Sequence, residues 1–291
     1  MAALADSHSL NGKNILITGA SGGIGQVTAR ELARRGAHLI LVCRNPDKAE
    51  QTKALIQQVS PASAPDVLLC DLSRLSEVRT LAAEIAKRYA TLDVLINNAG
   101  ILPGPLTITD EGHELSWVTN HLAPFLLTNL LLPLLDAAGQ ARIINVASEA
   151  HWLGEIEPAQ TFRNAPDKYS SFTAYCDSKL ANILFTSELA HRLELTGITA
   201  NCLHPGIVDT GLVNPGSSRV LKLLWKLARP LMVTAEVGAK TSIFLATDPK
   251  VASVSGRYFK NSKPARTSST AQNRAEASRL WRISEEEAGL E

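Results

Sequence analysis

The chain has 291 residues, enough for a large α/β domain with a substantial core, and 45% hydrophobic with 5% aromatic residues is the composition of a helix-rich globular enzyme. A formal net charge of +1 gives no electrostatic reason to bind nucleic acid or an acidic partner. The sequence shows no apolar run long enough to span a bilayer, and its first ten residues lack the basic and apolar regions of a signal peptide, so no transmembrane segment is expected and the default location is cytoplasmic.

Short apolar runs alternate with longer helical patterns, the rhythm of a parallel α/β sheet. Strands are expected at 14–18, 38–43, 67–70, 94–97, 142–147, 199–203 and 256–259. Helices are expected at 24–35, 46–59, 75–89, 111–135, 174–195 and 235–246. Most strands are continuous apolar stretches, as expected when helices cover both faces of a sheet. The fold class is therefore a Rossmann-like, doubly wound α/β/α domain of about seven parallel strands, with residues 1–291 forming one domain. Two segments break the rhythm. One, 149–172, carries His151, Trp152, Phe162 and Tyr169; the other, 208–233, reads as a lid over the substrate pocket. Within it Lys222, Lys226 and Arg229 share one face of an amphipathic stretch whose other faces are apolar, so it can touch a membrane surface or pack as an ordinary surface helix.

The first strand runs into Gly19, Ser21, Gly22, Gly23, Ile24 and Gly25 and then a helix. Glycines let the backbone approach a pyrophosphate, and the helix N-terminus offers unpaired N–H groups. The second strand ends Cys43-Arg44-Asn45 without a carboxylate. Arg44 suits a 2′-phosphate, which points to NADP(H). Asp71 ends the third strand and can take the adenine amine; Asn97-Asn98-Ala99-Gly100 ends the fourth and can pack on a ribose, though either could be an ordinary turn. Ser148 follows the fifth strand, where its hydroxyl can meet a substrate oxygen or serve as a plain turn residue. Tyr175 and Lys179 are four apart on a helix and can share one face. An ammonium beside the phenol is expected to lower its pKa and make Tyr175 an acid or base near neutral pH. The four cysteines, Cys43, Cys70, Cys176 and Cys202, have neither CxxC nor zinc-ligand spacing and read as buried thiols in a reducing compartment. No metal site is expected.

These motifs, in this order, resemble the classical short-chain dehydrogenase/reductase family over nearly the whole chain. The strings Thr119-Asn120-His121-Leu122, Phe125 to Leu132, Ala174 to Asn182, His204-Pro205-Gly206 and Leu280-Trp281 are most similar to its retinol-dehydrogenase-like branch. The resemblance implies that Tyr175 is the acid/base, that Lys179 lowers its pKa and binds the nicotinamide ribose, and that Ser148 orients the carbonyl oxygen. It implies that Asn120 holds a water in a relay to Lys179. It adds Leu72 beside Asp71, and Pro205, Gly206, Val208 and Thr210 at the nicotinamide end, to the cofactor-binding residues. The expected activity is NADP(H)-dependent interconversion of a carbonyl and an alcohol on a lipophilic small molecule. The alternative is a catalytically silent NADP(H)-sensing protein of the same fold. Relatives often form homodimers through the helices that hold Asn120 and Tyr175; the apolar faces there serve equally well as core.

Overall fold

Runs of branched aliphatic residues build the sheet: β1 (Asn14–Thr18), β2 (His38–Cys43), β3 (Asp66–Leu69), β4 (Val94–Asn97), β5 (Ala141–Val146), β6 (Ile198–His204) and β7 (Tyr258–Lys260). The computed structural model describes residues 9–61, 64–102, 104–156, 169–208 and 232–290. Strand order is β3-β2-β1-β4-β5-β6-β7, all parallel, with a short eighth strand beyond β7. This is the expected Rossmann-like sheet with one strand more. β8 (Lys263–Pro264) folds back antiparallel on β7. It is only two residues long and carries a proline, which is tolerated at a sheet edge and gives no strand pattern in sequence.

Among the described residues seven helices cover the sheet: α1 (Gly23–Arg34), α2 (Pro46–Val59), α3 (Leu75–Arg88), α4 (Leu115–Ala137), α5 (Ser171–Arg192), α6 (Ala235–Thr247) and α7 (Arg274–Ala288). Caps set several of the starts. The Asn45 side chain accepts the Lys48 N–H, with Pro46 at the first helical position of α2. Ser170, Thr234 and Asn273 cap α5, α6 and α7 in the same way.

Alternate strand residues feed two cores, one on each face. Leu16, Ile40, Leu95 and Ile143 pack with α3, α4, α5 and α7. Ile15, Leu39, Ile96 and Ile144 pack with α1, α2 and α6. The stretch Leu115–Ala137 is, against the sequence expectation, long and apolar enough to cross a membrane by length and composition. Its most apolar window is 78% buried inside the fold, which marks it as a core helix. Almost every residue of α5 from Cys176 to Ala190 is buried as well, so the apolar faces of both helices are accounted for by the core.

The last helix closes the back of this core. Trp117 donates to Glu287 (2.7 Å), His121 Nε2 meets Ser284 Oγ (2.8 Å), and the Arg192 guanidinium stacks 4.1 Å from the Trp281 ring. Arg79 donates to the carbonyls of Ala288 and Gly289.

β1 pairs with β2 on one side and β4 on the other. Connections therefore depart in opposite directions there, and a crevice opens at the carboxyl edge of the strands. A buried polar ladder braces the strands beneath it. Asn97 Nδ2 donates to Asn145 Oδ1 (2.8 Å) and Thr128 Oγ1 (3.0 Å), and Asn145 Nδ2 donates to Thr186 Oγ1 (2.9 Å). Asn145→Val should orphan one Asn97 donor and cost about 1–3 kcal/mol; denaturant unfolding of the two proteins measures it, and an unchanged midpoint would show the ladder to be dispensable.

Candidate active site

The crevice holds a cavity of about 1170 Å³. Its far end is built for close backbone approach. Gly19 has φ of +65°, and a Cβ there would lie 2.8 Å from Ala99 Cα. A Cβ on Gly25 would lie 2.4 Å from the Gly19 carbonyl oxygen and 2.5 Å from Asn98 Nδ2. Only glycine fits either place. Asn98 stitches the two loops together: its Nδ2 donates to the Thr18 and Gly19 carbonyls (2.8 and 3.2 Å), and its N–H donates to Thr18 Oγ1 (3.0 Å). The start of α1 differs from those of α2, α5, α6 and α7. Among the described residues no side chain caps it, and its first turn carries no acid. Unsatisfied N–H groups and the positive end of the helix dipole thus face the cavity, as a pyrophosphate requires.

Beyond the sheet edge, Arg44 and Lys48 line the same cavity, both exposed. Two cations on one wall, one just before α2 and one in its first turn, match a further phosphate group. Asp71 and Leu72 line the wall next to them; Asp71 Oδ1 accepts from the Ser73 N–H (3.0 Å) and hydroxyl (2.8 Å).

Ser148, Tyr175 and Lys179 meet at the near end. Lys179 is buried and donates to the Val146 carbonyl (3.1 Å), with its Nζ 5.5 Å from the Tyr175 ring centre. Burial pushes the Tyr175 phenol up to about 12, against the pull of the Ser148 hydroxyl that hydrogen-bonds it. Burial lowers Lys179 to about 8. The depressed phenol expected from the Tyr–Lys spacing is therefore not found: both groups lose solvent, and desolvation is the largest cause of each shift. Asn120 is fully buried. Its Oδ1 accepts the Ile101 N–H (2.8 Å), and its Nδ2 donates to the Ile101 carbonyl and to Ser178 Oγ (both 3.0 Å). Gly100 separates it from Lys179; a Cβ there would meet Lys179 Nζ at 3.3 Å and Asn120 Oδ1 at 3.5 Å.

The short chain dehydrogenase family model matches residues 13–220. This chain belongs to the short-chain dehydrogenase family. It falls in the retinol-dehydrogenase-like branch of that family. Human retinol dehydrogenase 12 is 42% identical over 97% of this chain and 88% of its own length, and mouse retinol dehydrogenase 14 is 42% identical over 98% and 88%. Among solved structures, a protein from Mycobacterium paratuberculosis superposes with a TM-score of 0.78 at 35% identity, covering 98% of this chain and 96% of that one. A short chain dehydrogenase from Escherichia coli CFT073, complexed with NADPH, gives 0.66 at 26% identity, covering 88% and 99%.

The short-chain dehydrogenase gathers most of the expected residues on one cavity: Gly19, Ser21, Gly22, Ile24, Gly25, Arg44, Asp71, Leu72, Asn98, Ala99, Gly100, Ser148, Tyr175, Lys179, Pro205, Gly206 and Val208. Gly23 starts α1, Asn45 is spent on capping α2, and Asn120 lies behind the wall. Thr210, residues 209–231 of the expected lid, with Trp225, and Phe162 lie outside the described residues. Val208 and Val233, which flank that segment, pair side by side. Sequence reasoning missed Lys48, which its place in the first turn of the helix after Arg44 could have signalled, and the Glu149 and Lys260 side chains at the near end, which carried no signal; His204 entered only as part of a family-like string. It also missed the π-turn Val118–Leu122 inside α4, which carries Asn120; such single wide turns occur often at functional sites.

The buried ammonium has a consequence for stability. Between about pH 8 and 10.5 the unfolded chain binds a proton at Lys179 that the folded protein has lost. Stability from this site should therefore rise with pH across that window and carry a constant penalty below it. Denaturant unfolding against pH should show the wild type gaining on the order of 3 kcal/mol relative to Lys179→Met. A flat difference would mean the ammonium is solvated in the folded state.

Proposed function

We propose that this short-chain dehydrogenase interconverts a carbonyl and an alcohol on a lipophilic small molecule with NADP(H). The observation that carries the reading is a single cavity. It joins the uncapped start of α1 and the Arg44–Lys48 pair to Ser148, Tyr175 and Lys179. The dinucleotide would be held by the glycine turn, Asp71, the Asn98–Gly100 turn and Pro205-Gly206, with Arg44 and Lys48 on a 2′-phosphate. The NADPH-bound relative from E. coli supports that choice. When bound, NADP(H) supplies or takes up the hydride.

The chain's own residues handle the oxygen and its proton. Ser148 hydrogen-bonds the carbonyl oxygen. A phenol at about 12 is protonated at neutral pH, so Tyr175 enters the reaction as the acid and gives its proton to that oxygen. An ammonium at about 8 is still charged at pH 7, and Lys179 stabilises the phenolate that Tyr175 becomes. Asn120 takes part from behind Gly100 in returning the proton. Leu102, Phe172 and Ile207 give the near end an apolar wall, Phe172 and Ile207 being 44% and 42% exposed. That wall and the names of the retinol dehydrogenase relatives support a bulky apolar aldehyde or ketone as substrate. Four buried free cysteines suit a reducing compartment, and the reading places the protein in the cytoplasm.

The test is a fluorescence titration with NADPH and NADH, followed by turnover with carbonyls running from small aldehydes to retinal and steroids. Preference for NADPH and turnover of the bulky members is expected; binding without turnover of any carbonyl would favour a silent sensor. Tyr175→Phe should cut kcat about 10²- to 10⁴-fold while NADPH affinity stays near wild type; full turnover in that variant would remove Tyr175 from the chemistry. Arg44→Asp should weaken NADPH by about 2–3 kcal/mol and leave NADH nearly unaffected. An unchanged ratio of the two affinities would acquit Arg44 of selecting the cofactor.

A further inference from the structure

Between Ser148 and α5 runs a 3₁₀ turn, Glu149–Leu153, that the proposed chemistry does not use. At its centre His151 is buried, 0% exposed. Both ring nitrogens are engaged. Nδ1 lies 2.7 Å from the Ser148 carbonyl oxygen, which can only accept. Nε2 lies 3.3 Å from the Ser268 backbone N–H, which can only donate. The ring proton must therefore sit on Nδ1 and the lone pair on Nε2: one neutral tautomer satisfies both partners. Burial holds the ring below the ordinary histidine range and keeps it neutral. Tyr258 and Trp152, each with its ring centre 5.2 Å away, fix the plane of the imidazole.

The same turn is keyed to both hydroxyls of the site. Ser148 Oγ accepts the Ala150 N–H at 3.2 Å, and the Ser148 carbonyl also accepts the His151 N–H at 3.2 Å. Three residues further on, a Cβ at Gly154 would lie 2.5 Å from the carbonyl oxygen of Cys176, the neighbour of Tyr175. The Glu155 N–H then donates to Asp177 Oδ1 at 2.8 Å. On the opposite side the Glu149 N–H donates to His204 Nδ1 (3.3 Å), and the Glu149 carboxylate accepts from the Tyr258 hydroxyl and the Lys260 ammonium (both 2.8 Å). The turn thus spans the gap from Ser148 to the Tyr175 helix, and the imidazole reaches from inside it to Ser268 in the segment after β8.

We propose that His151 is a positioning residue: as the Nδ1–H tautomer it clamps the Ser148 carbonyl against the Ser268 amide and so sets the Ser148 hydroxyl relative to the Tyr175 phenol. The inference rests on the assignment of Ser148 and Tyr175 as the pair that handles the substrate oxygen. A histidine that only filled space would leave turnover untouched once the protein had folded.

Two variants separate these cases. His151→Phe keeps a ring for the stack and loses both hydrogen bonds. His151→Asn places an amide N–H where Nδ1 stands and keeps the donation to Ser148. NADPH affinity and KM should stay near wild type in both. kcat should fall up to about 100-fold in His151→Phe, the scale of a small misplacement of a reacting group, and recover most of the way in His151→Asn. Undiminished kcat in folded His151→Phe, or a loss that asparagine does not repair, overturns the proposal. Ring-nitrogen NMR of the wild-type protein decides the geometry without turnover: a neutral imidazole protonated at Nδ1, with a signal missing from His151→Asn, is expected, and the Nε2–H form overturns it even where the phenylalanine variant does not fold. Wild-type protein inert toward every carbonyl sinks this inference together with the functional reading; wild-type turnover with undiminished His151→Phe sinks this inference alone.

Discussion

The stitch between Thr18 and Asn98 is the contact on which the site depends. It joins the ends of β1 and β4 at the point where the chain's crossovers part, and it holds the two loops that border the crevice at a fixed spacing. The Asn98 amide occupies the space a side chain at Gly25 would need, so the glycine turn and the β4 turn are complementary. Neither can be altered without moving the other. The uncapped start of α1 is held open toward the cavity by the same contacts, and a helix terminus without a partner is tolerable only where water or a ligand can reach it.

At the near end burial governs the chemistry. Val146 ends β5, and its carbonyl receives both Lys179 Nζ and Asn182 Nδ2 from α5. Two turns of one helix are thereby pinned to one strand end. The cost is desolvation of an ammonium with no carboxylate beside it among the described residues, and this moves the lysine and the tyrosine toward their neutral forms. At neutral pH the phenol keeps its proton and the lysine its charge, so the site rests as a proton donor beside a cation and not as a fixed ion pair.

Much of this was legible in the sequence, for identifiable reasons. β1, β2 and β4 are short aliphatic runs bounded by turn residues, and both faces of the sheet are covered, so the apolar run and the strand coincide. The glycine turn and the Tyr175–Lys179 spacing follow from local geometry alone. What could not be read depends on partners distant in the chain. The π-turn at Asn120 has an ordinary helical sequence and is visible only through its packing. Asn45 reads as a strand-end residue near Arg44 but is taken by the cap of α2, whose start the proline signals. The rise of the phenol depends on how completely other elements surround it, which spacing does not report. The lid expectation, most of it on residues 209–231, falls outside the described residues.

Closure of the core by α7 bears on how such a chain reaches its folded state. The bond between Trp117 and Glu287 spans 170 residues, and that between Arg79 and the Gly289 carbonyl spans 210. Contacts so remote close long loops, and that entropy must be lost before the contact repays it. Until they form, Phe125 and Phe185 lack the Trp281 ring that covers them, and the turn bearing Asn120 lacks its anchor at Ser284. A nearly folded intermediate would therefore carry an intact dinucleotide crevice beside an exposed aromatic seam, the kind of surface that aggregates or recruits chaperones.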